Sequence, residues 1–302
     1  MSRLSSLFLA GTAALALAAP LAAQNFDTVQ VRAVRVTDGI YMLTGAGGNI
    51  GLATGADATY IIDDQFAPLT ARIRASIASV TKDPVKFLIN THFHGDHVGG
   101  NENFGSAGSI IFAHDNVRRR MSGEQFEATA RQPAPAPAPR AALPVVTFSD
   151  TITLHLNGET AVIYHVKAAH TDGDAMIHFK RANVVHTGDV FVRYGFPFID
   201  VASGGTFAGL VAANEALLAS TDAGTKFMPG HGDVATREDL TKFVEMLRSV
   251  RSKVVAAMAG GKSLEQVKAA KPLASHDALG QGFVKTDAFV ELIYRELSKK
   301  KP

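Results

Sequence analysis

The chain has 302 residues, of which 46% are hydrophobic, and this content is enough for one sizeable globular core. The 30 basic and 28 acidic residues nearly balance, so the net charge of +2 gives no electrostatic argument for nucleic acid or an acidic membrane surface as a partner. Because the chain has no cysteine, disulfides, thiolate catalysis and thiolate metal ligands are excluded.

The first 23 residues have the pattern of a secretory signal peptide. Arg3 supplies a positive start, Leu7 to Ala19 is almost unbroken small-apolar sequence, and Leu21-Ala22-Ala23 is a small-residue cleavage site before Gln24. The apolar run is shorter than the roughly 20 residues that span a bilayer, so an uncleaved membrane anchor is the less favoured alternative. The pattern predicts a mature protein that is periplasmic or secreted.

Consecutive short apolar or alternating runs, separated by Gly, Asp and Asn, open the mature chain and predict four strands. These strands are Val29–Val36, Ile40–Leu43, Ile50–Ala53 and Tyr60–Ile62. The next predicted elements are the helix Ala67–Val80, the strands Val85–Ile89 and Ser109–Ala113, and the helix Val117–Ala130.

Residues Pro133 to Pro139 alternate Pro and Ala, which excludes a regular helix or an interior strand. We expect an exposed loop inside one domain, with a linker between two domains as the alternative. The strands predicted after it are Val145–Phe148, Ile152–Leu156, Ala161–Val166, Ala175–Phe179, Val184–His186 and Lys226–Met228. The helices predicted after it are Phe207–Ala219, Arg237–Ala257, Ser263–Ala270 and Asp287–Ser298.

This order predicts an α/β protein in which two sheets pack on each other with helices outside. A doubly wound single sheet fits less well, because the opening strands have no helices between them. We expect one domain over residues 24–302, closed by C-terminal helices.

Four candidate metal ligands follow the predicted strand Val85–Ile89 within six residues: His92, His94, Asp96 and His97. The two-residue period of a strand lets the first three point the same way as the chain leaves the strand. His97 then reaches the other side of the turn. Such density of His and Asp predicts a metal site rather than ordinary polar loop residues.

Three further candidates, His170, Asp189 and His231, each lie after a predicted strand. Each could be structural alone, but the cluster gives them a common explanation, because two cations need about this many ligands. Neutral imidazoles suit zinc, and the two carboxylates add charge for a second divalent ion. We therefore predict two Zn²⁺ ions per chain.

In this order the ligands resemble the motif of the metallo-β-lactamase superfamily, over about Val29 to Leu247. The resemblance implies an αββα sandwich with the metals between the sheet edges. It implies one zinc on His92, His94 and His170, a second on Asp96, His97 and His231, and Asp189 as the bridge.

These residues predict an exported di-zinc hydrolase in which a metal-bound hydroxide attacks a carbonyl, with Asp96 as the catalytic residue that orients the hydroxide and moves its proton. No Gly-x-Ser-x-Gly motif offers a serine nucleophile. β-Lactam-type activity fits export. Asp189, however, stands where the best-known β-lactamase subclass of this fold has cysteine, and it resembles the aspartate of glyoxalase II thioesterases and lactonases. A thioesterase or lactonase-like hydrolase, and a catalytically idle metal-binding protein, are therefore alternatives.

Arg193 is the candidate substrate-binding residue. It lies four residues after Asp189, and we expect it at the rim of the cleft, where it would hold a substrate carboxylate. Related β-lactamases often place a lysine at the position of Val192 for this purpose. The predicted partner is a small-molecule substrate, with no nucleic acid and no membrane once the signal is removed, and the oligomeric state stays open.

Overall fold

The computed structural model describes residues 25–124 and 136–299. The predicted signal peptide and the start of the Pro-Ala run lie outside these residues. No helix in the described part of the chain is both long and apolar enough to cross a bilayer.

Within residues 25–124 and 136–299, seven strands form a first sheet in chain order. They are β1 (Arg32–Thr37), β2 (Ile40–Thr44), β3 (Ile50–Ala53), β4 (Thr59–Ile62), β5 (Val85–Ile89), β6 (Ile110–His114) and β7 (Val146–Phe148). Strands β1 to β4 pair antiparallel, and β4 to β7 pair parallel. Because β6 pairs with β7, the Pro-Ala segment connects neighbouring strands of one sheet.

The second sheet has six strands in the same described ranges, in the order β13-β12-β11-β10-β9-β8. They are β8 (Thr151–Leu156), β9 (Glu159–His165), β10 (Ala175–Phe179), β11 (Val184–Gly188), β12 (Lys226–Pro229) and β13 (Ala235–Thr236). Strands β11 and β12 are parallel and the other neighbours are antiparallel.

The described helices are α1 (Thr70–Ala78), α2 (Gly95–Val98), α3 (Asn101–Ser106), α4 (Asp115–Met121), α5 (Phe207–Ala219), α6 (Arg237–Ala257), α7 (Leu264–Ala269) and α8 (Thr286–Lys299). Short 3₁₀ turns cover Ala67–Leu69, Arg140–Ala142, Val201–Ser203 and Ala274–Gln281. Helix α6 begins at a capping box of Thr236 and Asp239, which satisfies backbone N–H groups of its first turn.

Alternating burial explains why the two sheets pack. In β4, Tyr60 and Ile62 contact the apolar cluster between the sheets, whereas Ile61 packs with α1 on the outer face. A strand buried on both faces needs a layer on each side. Helices α5 to α8 cover the outer face of the second sheet, so the predicted α/β sandwich of two packed sheets is confirmed.

Candidate metal centre

The structure brings all seven predicted metal ligands together at one edge of the sandwich. Four follow β5, and the other three follow β9, β11 and β12. They form three overlapping groups in which all ligand atoms lie within 4.8 Å of one another. The groups are His92, His94 and His170; His92, His97 and Asp189; and Asp96, His97 and His231.

In the first group, backbone and carboxylate partners orient the imidazole rings. His170 directs Nδ1 at the carbonyl oxygen of Phe198 at 2.8 Å, and its Nε2 lies 2.9 Å from Nδ1 of His94. The other nitrogen of His94, Nε2, lies 3.1 Å from the carboxylate of Asp200. His92 directs a buried Nε2 that has no hydrogen-bond partner among the described residues. One nitrogen of each ring is therefore left for a shared ligand.

The second group is arranged around the Asp189 carboxylate. Oδ1 of Asp189 lies 3.2 Å from Nε2 of His97, and its Oδ2 lies 3.4 Å from Nε2 of His231. The same His231 nitrogen lies 3.3 Å from the Asp96 carboxylate. Asp189 Oδ2 is also 3.8 Å from Nε2 of His170, so its carboxylate lies between the two outer groups.

Asp63 is a supporting residue that the sequence pattern did not indicate. It follows β4, it is fully buried, and its φ of 62° is in the left-handed region. Its carboxylate accepts hydrogen bonds from the backbone and hydroxyl of Thr91, at 2.8 and 2.7 Å, and lies 2.8 Å from Nδ1 of His97. Asp63 therefore orients the His97 ring so that Nε2 faces the centre.

Asp174 supports the loop of His170 in a similar way. Its buried carboxylate accepts hydrogen bonds from the backbone of His170 at 2.7 Å and from that of Thr171 at 2.9 Å. Burial raises the pKa of Asp174 to about 7, although these hydrogen bonds oppose the rise. The Asp174 carboxylate thus fixes the backbone of the loop that carries His170, whereas the Asp63 carboxylate fixes the orientation of the His97 ring.

Two glycines allow the backbone to approach the ligands closely. A Cβ at Gly230 would lie 2.0 Å from Oδ1 of Asp189, and a Cβ at Gly48 would lie 2.2 Å from the His97 ring. Both distances are far below van der Waals contact. Only glycine fits at these two positions while the ligands keep their places.

Three buried ligand atoms at the site favour the binding of a cation. Nε2 of His92, Nε2 of His97 and Oδ1 of Asp189 are buried and make no hydrogen bond of acceptable geometry within the described residues. Buried polar atoms that lack a hydrogen bond are costly unless a bound group compensates them. A divalent ion is the group that suits convergent nitrogens and a carboxylate oxygen.

The charges at the site agree with this donor set. Burial lowers the pKa of His92 well below its usual range and that of His170 to about 4, so both rings are neutral, as metal ligation requires. Burial also tends to lower the pKa values of His97 and His231. Nearby carboxylates, Asp189 among them, outweigh burial: the pKa of His97 lies well above its usual value, and that of His231 is raised to about 9. Protons on these two rings would leave when a cation binds.

A cavity of about 610 Å³ opens over the ligands. Its lining is Gly47, Phe66, His94, Gly95, Asp96, Asp189, Tyr194, Phe198, His231 and Phe283. Four of the seven predicted ligands, His94, Asp96, Asp189 and His231, therefore face a space that can admit a small molecule.

Arg193, the predicted substrate-binding residue, does not belong to the lining of this cavity. Its backbone N–H donates to the carbonyl oxygen of His231 at 3.0 Å, so the main chain does pass the centre. Its guanidinium, however, bonds to the carbonyl oxygen of Val234 at 3.3 Å and to the carboxylate of Asp239 at 3.2 Å. These acceptors lie just before β13 and in the first turn of α6, and the neighbouring Tyr194 lines the cavity.

Comparisons with known proteins agree with the fold. The model of the metallo-beta-lactamase superfamily matches residues 43–238. A metallo-beta-lactamase from Pontibacter korlensis has a similar structure, with a TM-score of 0.59 and 16% identity over 72% of this chain and 99% of that one. No curated protein matches the sequence.

Two structures of the sec-alkylsulfatase Pisa1 are also similar. The one from Pseudomonas sp. has a TM-score of 0.64 and 16% identity over 88% of this chain, and a double mutant of PisA1 has a TM-score of 0.65 and 14% identity over 90%. This chain spans about half the length of the alkylsulfatases, at 50% and 51%. At these identities the likeness concerns the fold. The family match covers most of the chain, which therefore belongs to the metallo-beta-lactamase superfamily.

Proposed function

We propose that this chain is a hydrolase that uses two zinc ions to cleave a carboxylic derivative, such as an ester, a lactone, a thioester or a β-lactam. One observation supports this above all: His92, His97 and Asp189 bring ligand atoms within 4.8 Å of one another, and each has a buried ligand atom without a hydrogen bond in the described ranges. Imidazole and carboxylate donors fit zinc.

In this proposal three histidines hold one ion, a second group holds the other, and Asp189 lies between them. The groups are His92, His94 and His170, and Asp96, His97 and His231. Zinc at these positions supplies Lewis-acid chemistry, because it polarises a carbonyl and lowers the pKa of water. The protein's own part is to fix the rings through Asp63 and Asp200 and to present a cavity for the substrate.

Asp96 is the proposed catalytic residue. It lines the cavity, and its carboxylate lies 3.3 Å from Nε2 of His231. Burial tends to raise the pKa of Asp96, but the hydrogen bond with His231 and the nearby imidazoles outweigh it and lower the pKa below the usual value. The ionised carboxylate can accept a proton from the attacking water and deliver it to the leaving group. We place this activity in the periplasm or outside the cell, on the strength of the signal-like residues 1–23.

The test is a substrate panel with the zinc-loaded mature chain that begins at Gln24. The panel contains a β-lactam, a lactone, a thioester and an aryl ester, together with a secondary alkyl sulfate, because alkylsulfatase structures have the same fold. We expect about two zinc ions per chain and hydrolysis of a carboxylic derivative that stops with chelator and returns with zinc. Asp96→Asn should lower kcat by about 10²–10⁴.

Two outcomes would contradict the proposal. A protein that holds two zinc ions but hydrolyses nothing in the panel would be the catalytically idle alternative. Hydrolysis of the sulfate alone would show that the reaction does not involve a carbonyl.

A further inference from the structure

The cavity over the metal centre has an aromatic wall, formed by Phe66, Tyr194, Phe198 and Phe283. The Phe198 ring lies 6.0 Å from that of His94 and 5.6 Å from that of Phe283, so the wall extends from the ligands to the mouth. Phe283 is 75% exposed, more than any other large apolar side chain in the described ranges. An exposed apolar surface beside a cleft indicates a surface that a ligand covers.

Phe283 belongs to a C-terminal segment outside the family match at residues 43–238. This segment is fixed to the loop that follows Asp189. The backbone N–H of Phe196 donates to the carbonyl oxygen of Leu279 at 3.3 Å, and Phe289 stacks on Phe196 at 4.5 Å. The position of Phe283 is therefore set by buried contacts on both sides, although its own ring is exposed.

The lining of the cavity contains no lysine or arginine among residues 25–124 and 136–299. Arg193 is bonded to Asp239 at the start of α6. Arg120 stacks over Phe93, beside His94 in the chain, but it binds both carboxylate oxygens of Asp172, at 2.7 and 2.8 Å. The described lining thus offers apolar surface without a lysine or arginine side chain that could hold a substrate carboxylate.

We infer that the substrate is an uncharged ester or lactone whose apolar part lies against this wall, and that Phe283 determines this specificity. The inference rests on the proposed hydrolase function. In the reaction the water oxygen bonds to the carbonyl carbon, the ester C–O bond breaks, and a water proton goes to the leaving alkoxide. The products are a carboxylic acid and an alcohol, or one hydroxy acid from a lactone. Substrates with a free carboxylate near the wall, β-lactams included, are poor substrates.

The test uses the zinc-loaded mature chain and p-nitrophenyl esters from acetate to octanoate. We expect kcat/KM to rise about threefold per methylene until the wall is covered. Phe283→Ala should lower the octanoate-to-acetate ratio about tenfold, and Phe283→Leu should keep most of it. Val255→Ala is the matched control, since Val255 is an exposed apolar residue on α6 beside a different cavity, and it should leave the ratio unchanged.

A second pair of substrates tests the effect of a negative charge on the acyl chain at constant chain length. The p-nitrophenyl esters of hexanoate and of hydrogen adipate have chains of equal length, but the adipate ends in a carboxylate. We expect at least a tenfold preference for hexanoate. A preference for the adipate, rates independent of chain length, or an equal loss on all esters in Phe283→Ala would each overturn the inference.

A binding experiment tests this inference separately from the proposed hydrolase function. Octan-2-one has no bond to hydrolyse, and its affinity can be measured by calorimetry even if no ester is cleaved. Phe283→Ala should weaken its binding about tenfold, with Val255→Ala unchanged. If no ester is hydrolysed but Phe283→Ala weakens the binding of octan-2-one, the proposed hydrolase function is wrong and the apolar binding site is supported. If the affinity is unchanged in Phe283→Ala, the inference fails whatever the activity.

Discussion

The substitution Asp63→Asn tests how the metal ligand His97 is held in place. Asp63 has two donors that are always present, the backbone N–H of Thr91 at 2.8 Å and Nδ1–H of His97 at 2.8 Å. An asparagine can offer its oxygen to only one of them and must turn its NH₂ group toward the other. The substitution should not strain the backbone, because asparagine tolerates the φ of 62° that Asp63 adopts.

The size of the effect follows from the lost contact. A hydrogen bond to a charged group contributes about 1.5–3 kcal/mol, and loss of a residue that orients a metal ligand lowers metal affinity about 10- to 100-fold. We therefore expect Asp63→Asn to weaken the ion beside His97 by about 10- to 100-fold. The ion on the other group should be weakened less, because Asp63 reaches His92 only through the hydroxyl of Thr91, whereas His94 is held by Asp200 and His170 by Phe198.

The assay is competition for zinc with a chromophoric chelator, which resolves the two binding steps. Asp64→Asn is the matched control: Asp64 is equally buried and adjacent, but its carboxylate accepts from the backbone of Gly100 rather than holding a histidine. Unchanged affinity in Asp63→Asn would refute the reasoning. An equal loss in Asp64→Asn would do so too, because it would point to general damage.

Asp189→Ala should reduce bound zinc from about two ions per chain to one, measured by elemental analysis, and two retained ions would remove its bridging role. Arg193→Ala should lower the free energy of unfolding by only about 0.2–1 kcal/mol, as for an exposed ion pair with Asp239, and leave selectivity between charged and uncharged substrates unchanged in parallel kinetics. Mass spectrometry of the exported protein should find Gln24 at the N-terminus, and an intact start would contradict the signal peptide. Burial and the stacked His165 ring lower the pKa of His114, so the unfolded chain binds more protons below about pH 6.5. This one group destabilises the fold as the pH falls from about 7.5 to about 5.5, so over this range the metal-free wild type should lose more thermal stability, or gain less, than His114→Gln; an identical pH dependence of the two melting temperatures would exclude this contribution.

Regular elements were predictable where burial imposes a period. β3, β5 and β10 begin and end at the predicted residues, because each is a short apolar run bounded by turn residues. The helices α2 and α3 were not predicted, since four and six residues are too few to show a helical period. Within the site, the density of His and Asp from His92 to His97 made these ligands recognisable from the sequence alone.

The residues that support the ligands could not be found in this way. Asp200 contacts His94 across 106 positions, and Asp63 contacts His97 across 34, so no local spacing connects them. The one signal for Asp63 in the sequence is its place directly after a fully buried strand. For Arg193, proximity in sequence indicated the main-chain neighbourhood, but in an irregular segment it could not indicate that the side chain bonds to Asp239.

The two sheets supply different ligands, and this connects metal binding to stability. His92 to His97 follow the first sheet, whereas His170, Asp189 and His231 follow strands of the second. Bound ions would thus cross-link the edge of the sandwich. At free zinc about 1,000-fold above Kd, the linkage is worth about 4 kcal/mol, comparable with the roughly 2–4 kcal/mol of a disulfide. Because the chain has no cysteine, its metal centre is where such a cross-link can form, and the same ligands then serve both folding and the proposed chemistry.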